Sequence, residues 1–141
     1  MKKALILVLW AFLMPVTLQS QESFKATLIE FDGKIALFSV DATAAKGSDV
    51  ASAAMDYLFR TLLTSGVEGV ENGRKLMEKD NPKWFDNFFK EKNPPYMAYV
   101  KGYQTEGDPL RTSVGTYRAT VLVKVNIEFF LRQLKAYGIR N

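Results

Sequence analysis

The sequence predicts an α+β domain: a roughly four-stranded, mainly antiparallel sheet of two hairpins with helices packed on one face, in the order ββαα(α)ββα. Three observations carry this reading. Residues 116–127 alternate apolar and polar side chains, residues 24–40 form two extended runs split by Asp32-Gly33, and residues 50–63 repeat apolar side chains every three or four positions.

The first hairpin pairs Phe24–Phe31 with Lys34–Val40 across Asp32-Gly33, a dipeptide suited to two-residue turns because both central positions favour positive φ. Ala36, Phe38 and Val40 share one face, and Ile35 and Leu37 the other. Small residues at 42–47 make a loop, and Ser48 or Asp49 is placed to accept the free N–H groups that open a helix. That helix carries Ala51, Ala54, Met55, Leu58, Phe59 and Leu62 on one stripe and stops at Gly66.

A short helix is expected around Arg74–Lys79. Asn81-Pro82 then starts another, Asn as cap and Pro at the first helical position. This second helix places Trp84, Phe85, Phe88 and Phe89 at helical spacing and ends at Asn93-Pro94-Pro95. Tyr96–Thr105 reads as a strand, and residues 106–115 as a turn region with Gly107 and Pro109. In the strand that follows, Tyr117, Ala119, Val121, Val123, Val125 and Ile127 alternate with Arg118, Thr120, Lys124 and Asn126, so one face is covered and the other is wetter. Asn126 caps a last helix with Phe129, Phe130, Leu134 and Tyr137, ended by Gly138.

The chain opens with an address. Met1-Lys2-Lys3 precedes an apolar run from Ala4 to Met14, Pro15 interrupts it, and Ser20 offers a small side chain at a cut. This is the layout of a secretory signal peptide, and the run is shorter than the ~20 apolar residues a spanning helix needs. Cleavage after Ser20 is expected, leaving residues 21–141 as one α+β domain in the periplasm or outside a bacterial cell. Export without cysteine points to a bacterial source, because small secreted eukaryotic domains lean on disulfides. The processed chain has 17 basic and 15 acidic residues, a formal +2. So small a charge is no footprint for nucleic acid.

With no cysteine and no histidine, disulfide frameworks, thiolate chemistry, Cys/His metal sites and His-dependent catalysis are excluded. There is no phosphate loop, no nucleophile elbow and no calcium loop. Gly66, Gly69 and Gly73 follow a helix and have the wrong spacing for a dinucleotide fingerprint. Among the carboxylates Asp32 belongs to a turn, Asp49 to a cap and Asp56 to a polar helix face, while Asp41 has no evident structural role. A glycosidase needs two carboxyl groups across one cleft, and nothing near Asp41 builds that pair. Thr43 and Lys46 stand three apart in a loop, outside any recognised base–nucleophile motif.

The aromatic content, 13%, carries the one functional suggestion. Trp84, Phe85, Phe88 and Phe89 lie beside Lys83, Lys90 and Lys92, with Tyr96, Tyr99 and Tyr103 following. Aromatics next to cations stack sugars or bases, but helical spacing of this kind is also what plain packing produces. Trp84, Phe88, Tyr99 and Tyr103 are therefore the candidate interaction surface.

Asp49-Val50-x2-Ala53-x3-Tyr57-Leu58, Leu62-Leu63-x2-Gly66-Val67-x-Gly69, Trp84-Phe85-x2-Phe88-Phe89, Tyr117-Arg118-Ala119-Thr120-Val121-x-Val123-x-Val125-Asn126 and Leu131-x2-Leu134-x3-Gly138-Ile139 together span most of the processed chain. This pattern resembles small exported Gram-negative bacterial proteins of unknown function. More distantly it is similar to the α/β domain of flagellar assembly protein T and related envelope lipoproteins. The resemblance implies the fold, export and an interaction-module role, and no active-site residues. This chain has no cysteine to acylate, unlike the lipoprotein members.

The expectation is a non-enzymatic protein-interaction or scaffold module of the cell envelope, with no catalytic residue, cofactor, metal or transmembrane span. The alternative is a small-ligand or glycan binder using an aromatic groove.

Overall fold

The strand with the clearest alternation, β5 (Tyr117–Asn126), stands in the middle of the sheet. The computed structural model describes residues 24–141, so the leader expected at residues 1–20 lies outside the described residues. In chain order the other elements are β1 (Lys25–Phe31), β2 (Ile35–Ala44), α1 (Val50–Thr64), α2 (Pro82–Phe88), β3 (Val100–Thr105), β4 (Leu110–Arg111) and, after β5, α3 (Ile127–Ala136). The sheet runs β1-β2-β5-β3, with the two-residue β4 also on β5, and every pairing is antiparallel. The class is α+β as expected, with the small β4 as a fifth strand.

Residue register decides the layers. Ala36, Phe38, Val40 and Ala42 of β2 stand opposite Val125, Val123, Val121 and Ala119 of β5. All but Ala119 are buried, and the helices lie over this face. From α1 it receives Ala54, Met55, Leu58, Phe59, Leu62 and Leu63, and from α3 Phe130 and Leu134. Fully burying each large side chain of that set stabilises the fold by about 1.5–3 kcal/mol relative to exposure.

Local chemistry fixes the element ends. Asn81 and Asn126 cap α2 and α3: their Oδ1 atoms accept the N–H groups of Trp84 and Phe129, each at 3.0 Å. Asp49 precedes α1 as expected, but a 3₁₀ turn at Gly47–Asp49 leads into that helix and the Asp49 carboxylate caps nothing. The first hairpin also closes differently from a two-residue turn with positive φ at both centres. Gly33 has φ +94°, whereas the Asp32 carboxylate accepts N–H groups of Lys34 and Ile35 at 2.8 Å each, a side-chain turn. These backbone bonds hold the Asp32 carboxyl below the usual carboxylate range.

Three expected elements are corrected. Residues 42–44, expected in a loop, continue β2, paired in register with Tyr117, Arg118 and Ala119 of β5. Arg74–Lys79 forms no helix, because its N–H groups go elsewhere: Leu76 and Met77 donate to the carbonyls of Leu62 and Leu63, and Glu78 and Lys79 donate to that of Ile139. This loop also packs tightly on the end of α1, where Gly66 has φ +90° and a Cβ would run into the Gly73 carbonyl. Tyr96–Tyr99 is not strand but the main part of a 3₁₀ turn, Pro95–Tyr99, since the Pro94-Pro95 pair sets its entry; β3 begins only at Val100.

Candidate functional site

The aromatic helix is the first candidate, and the fold turns it inward. Phe88 is 2% exposed and Tyr99 7%, so neither can belong to a surface. The Phe88 ring lies 5.7 Å from Phe130, 6.0 Å from Phe59 and 6.1 Å from each of Tyr96 and Tyr99, at the centre of an aromatic core. The reason is the wide stripe of α2: both of its i,i+4 pairs lean toward α1 and α3, leaving Lys83, Lys90 and Lys92 in water. Trp84 is half-buried and stacks on Phe88 at 4.7 Å. On the other side of α2, the Arg60 guanidinium lies 4.2 Å from the centre of the Phe89 ring and pairs with Asp56. Burial pushes the Tyr96 hydroxyl up to about 12, with the Asp56 charge adding to it, and raises that of Tyr99 in the same way.

Of the four candidate surface residues only Tyr103 stands in the open, 53% exposed on the edge strand β3. It is not brought together with Phe88 or Tyr99. It does line a shallow hollow of about 330 Å³ with Leu37, Lys101, Gly102, Gln104, Leu122 and Lys124.

That hollow belongs to the face of the sheet opposite the helices. The rows across it follow from register: Glu30, Leu37, Lys124 and Gly102 form one, and Thr27, Ser39, Leu122 and Gln104 the next. Ile35, Leu37 and Leu122 are only half-buried there, and no helix among the described residues crosses them. A second hollow of about 480 Å³ adjoins the first and is lined by Glu30, Phe31, Asp32, Ile35, Leu37 and Lys124. Gly102 opens the smaller hollow, since nothing lies within 4 Å of where its Cβ would be. Lys25, Arg118 and Lys124 on this face are exposed.

Three of the carboxylates weighed above have partners. Asp41, which had no evident role in the sequence, accepts the Thr120 hydroxyl at 2.7 Å across the β2–β5 pairing. Asp56 is held by Arg60 and Asp32 by its own turn. No group of three acidic, His or Cys side chains able to hold a metal ion exists among the described residues. No helix among them is long and apolar enough to cross a membrane. No family model matches the sequence, and neither a curated protein nor a solved structure matches it.

Sequence reasoning allowed a surface of the sheet as the binding surface but named no residue of this face, although its signal was present. Leu122 breaks the polar side of the β5 alternation, and Leu37 and Ile35 fall on the same side of β2. Three apolar residues on the wet face, brought together only by strand pairing, mark it.

Proposed function

We propose that this chain is a non-enzymatic protein-interaction module of the bacterial cell envelope that engages its partner through the uncovered face of the sheet. The observation that carries this reading is the cluster of Ile35, Leu37 and Leu122 from three successive rows, apolar and half-buried beside two hollows, on a face that no helix among the described residues covers. The engaged carboxylates Asp32, Asp41 and Asp56 support a non-enzymatic role, since each already has structural work. Export and processing after Ser20 are part of the proposal, supported by the charged start, the short apolar run and the small residue at the cut in residues 1–20. Resemblance to small exported envelope proteins agrees with it.

The test is a photo-activated cross-linking side chain placed at Leu122, and separately at Lys90 on the helical side, in cells expressing the full sequence. Discrete adducts from position 122, absent from position 90 and lost with Leu37→Glu, are expected. The same adduct pattern from both positions would remove the sheet face from the proposal. Mass measurement of the envelope-fraction protein checks processing, with Gln21 expected as the first residue.

A second reading, a small-ligand or glycan site, draws on Tyr103 at the rim of the smaller hollow. Saturation-transfer NMR with a panel of sugars tests it, and loss of signal in Tyr103→Ala is the expected result.

A further inference from the structure

We propose that the partner of this sheet face is a second copy of the same chain, the two sheets meeting face to face about a two-fold axis that lies along the β2–β5 seam. The inference rests on the interaction-module reading above and names its partner.

It starts from the order of charges across one row. Glu30 on the β1 edge, Leu37, Lys124 and Gly102 on the β3 edge stand side by side in register. Near this row the β1 side also carries Asp32, and the β3 side Lys101, each lining the hollow on its own side, while Lys25 stands further along β1. A two-fold rotation about an axis along the strands keeps every row at its own height and reverses its order. The row Glu30-Leu37-Lys124-Gly102 therefore meets its own reverse. Glu30 of one copy comes over the notch at Gly102 of the other, between Lys101 and Lys124. Leu37 comes over the aliphatic stem of Lys124, and in the next row Thr27 meets Gln104 and Ser39 meets Leu122.

Charge and shape agree on this pairing. Among the described residues Glu30, Lys101 and Lys124 make no ion pair within the chain, so each is free to find one across an interface. Open space surrounds the Cβ position at Gly102, where the opposing carboxylate arrives, so no side chain stands in its way. An axis laid over β5 would set Lys124 against Lys124, and one laid across the strands at this row would set Glu30 against Glu30, which like-charge repulsion disfavours.

The size of the face sets the strength. Four strands ~4.8 Å apart and about six residues long at ~3.3 Å each give a footprint of roughly 400 Å² per copy. A standard stable interface buries about 800 Å² per partner, so the dimer is weak and concentration-dependent.

Sedimentation equilibrium of the protein purified after expression of the full sequence, from micromolar to millimolar concentration, tests this. A reversible monomer–dimer equilibrium is expected for the wild type. Glu30→Lys alone and Lys124→Glu alone each weaken it at least tenfold, and the two reversals combined restore it to within about threefold. All three variants are exposed-face changes, and near-ultraviolet circular dichroism confirms their fold. A chain that stays monomeric at millimolar concentration overturns the proposal. So does a dimer indifferent to the single reversals, or one that the double reversal fails to restore. A monomeric chain that still cross-links from position 122 to another envelope protein would overturn self-pairing while leaving the module reading intact.

Discussion

Phe88→Ala distinguishes a core aromatic helix from a binding one. Phe88 is 2% exposed and has six ring neighbours, from Trp84 at 4.7 Å to Tyr96 and Tyr99 at 6.1 Å. Truncating a buried Phe to Ala removes its transfer free energy and leaves a cavity, about 3–5 kcal/mol in all. The flat neighbours around Phe88 cannot collapse into the gap without leaving their own ring contacts, which places the expected loss toward the upper half of that range. Against a total stability of about 5–15 kcal/mol for an ordinary domain, this is about a quarter or more of what holds the chain folded. Urea unfolding followed by Trp84 fluorescence measures it, because Trp84 is the sole tryptophan after residue 20 and stacks on the ring being removed. With a slope of about 1–3 kcal/mol per molar urea, the midpoint falls by at least about 1.3 M. Phe88→Leu keeps an apolar side chain of similar reach and is expected to fall between wild type and Phe88→Ala, which gives a reading even if the alanine variant is too unstable to study. A Phe88→Ala change within about 0.5 kcal/mol, the usual range for surface sites, would refute the burial argument.

Gly66→Ala is expected to cost about 2–4 kcal/mol in the same urea assay, from left-handed strain plus forced movement at the Gly73 carbonyl. Gly138→Ala is the control: φ is +72° but nothing lies within 4 Å, so only the strain of about 1 kcal/mol remains. The Tyr96 hydroxyl, pushed up to about 12 by burial, ionises in the unfolded chain near 10, so stability is intact below pH 10 and falls between pH 10 and 12. Tyr96→Phe flattens that alkaline slope by on the order of 2 kcal/mol across the window, measured as urea midpoints from pH 9 to 11.5; an unchanged slope would contradict the burial of that hydroxyl. Asp32 shows the opposite sign. Its lowered folded value means that its contribution is present above the ordinary carboxylate pKa and is lost as pH falls through the folded one. Asp32→Asn, which keeps the accepting oxygen but cannot titrate, removes that acid-side dependence, and midpoints from pH 2.5 to 7 should converge with those of wild type only below the transition.

What the sequence made legible was whatever its own neighbours decide. The alternation of β5, the stripe of α1 and the caps Asn81 and Asn126 depend on residues within a turn or two, and all four stand in the structure. The loop at Arg74–Lys79 was illegible because its hydrogen-bond partners, Leu62, Leu63 and Ile139, are remote in sequence. The role of Asp41 was hidden for the same reason, its partner Thr120 lying 79 residues away. For the aromatic helix, spacing announced a wide apolar face but not which side of it met the core, so Phe88 and Tyr99 entered the candidate surface although packing claims them. The open sheet face needed the strand order itself, since only the β2–β5 register puts Leu122 beside the row of Leu37.

The central place of β5 has a consequence for how the chain is born. A ribosome releases Asp41 of β2 79 residues before Thr120, the partner it bonds in the finished sheet. At about 5–20 residues per second, the first hairpin waits roughly 4–16 s without the strand that completes its core. During that interval Ala36, Phe38 and Val40 have only the β1 row of Phe31, Leu28 and Ala26 beside them, and the β5 row is still missing. Delayed closure of this kind keeps a newly made chain threadable, which is what passage through a narrow secretion channel requires if the proposed export operates.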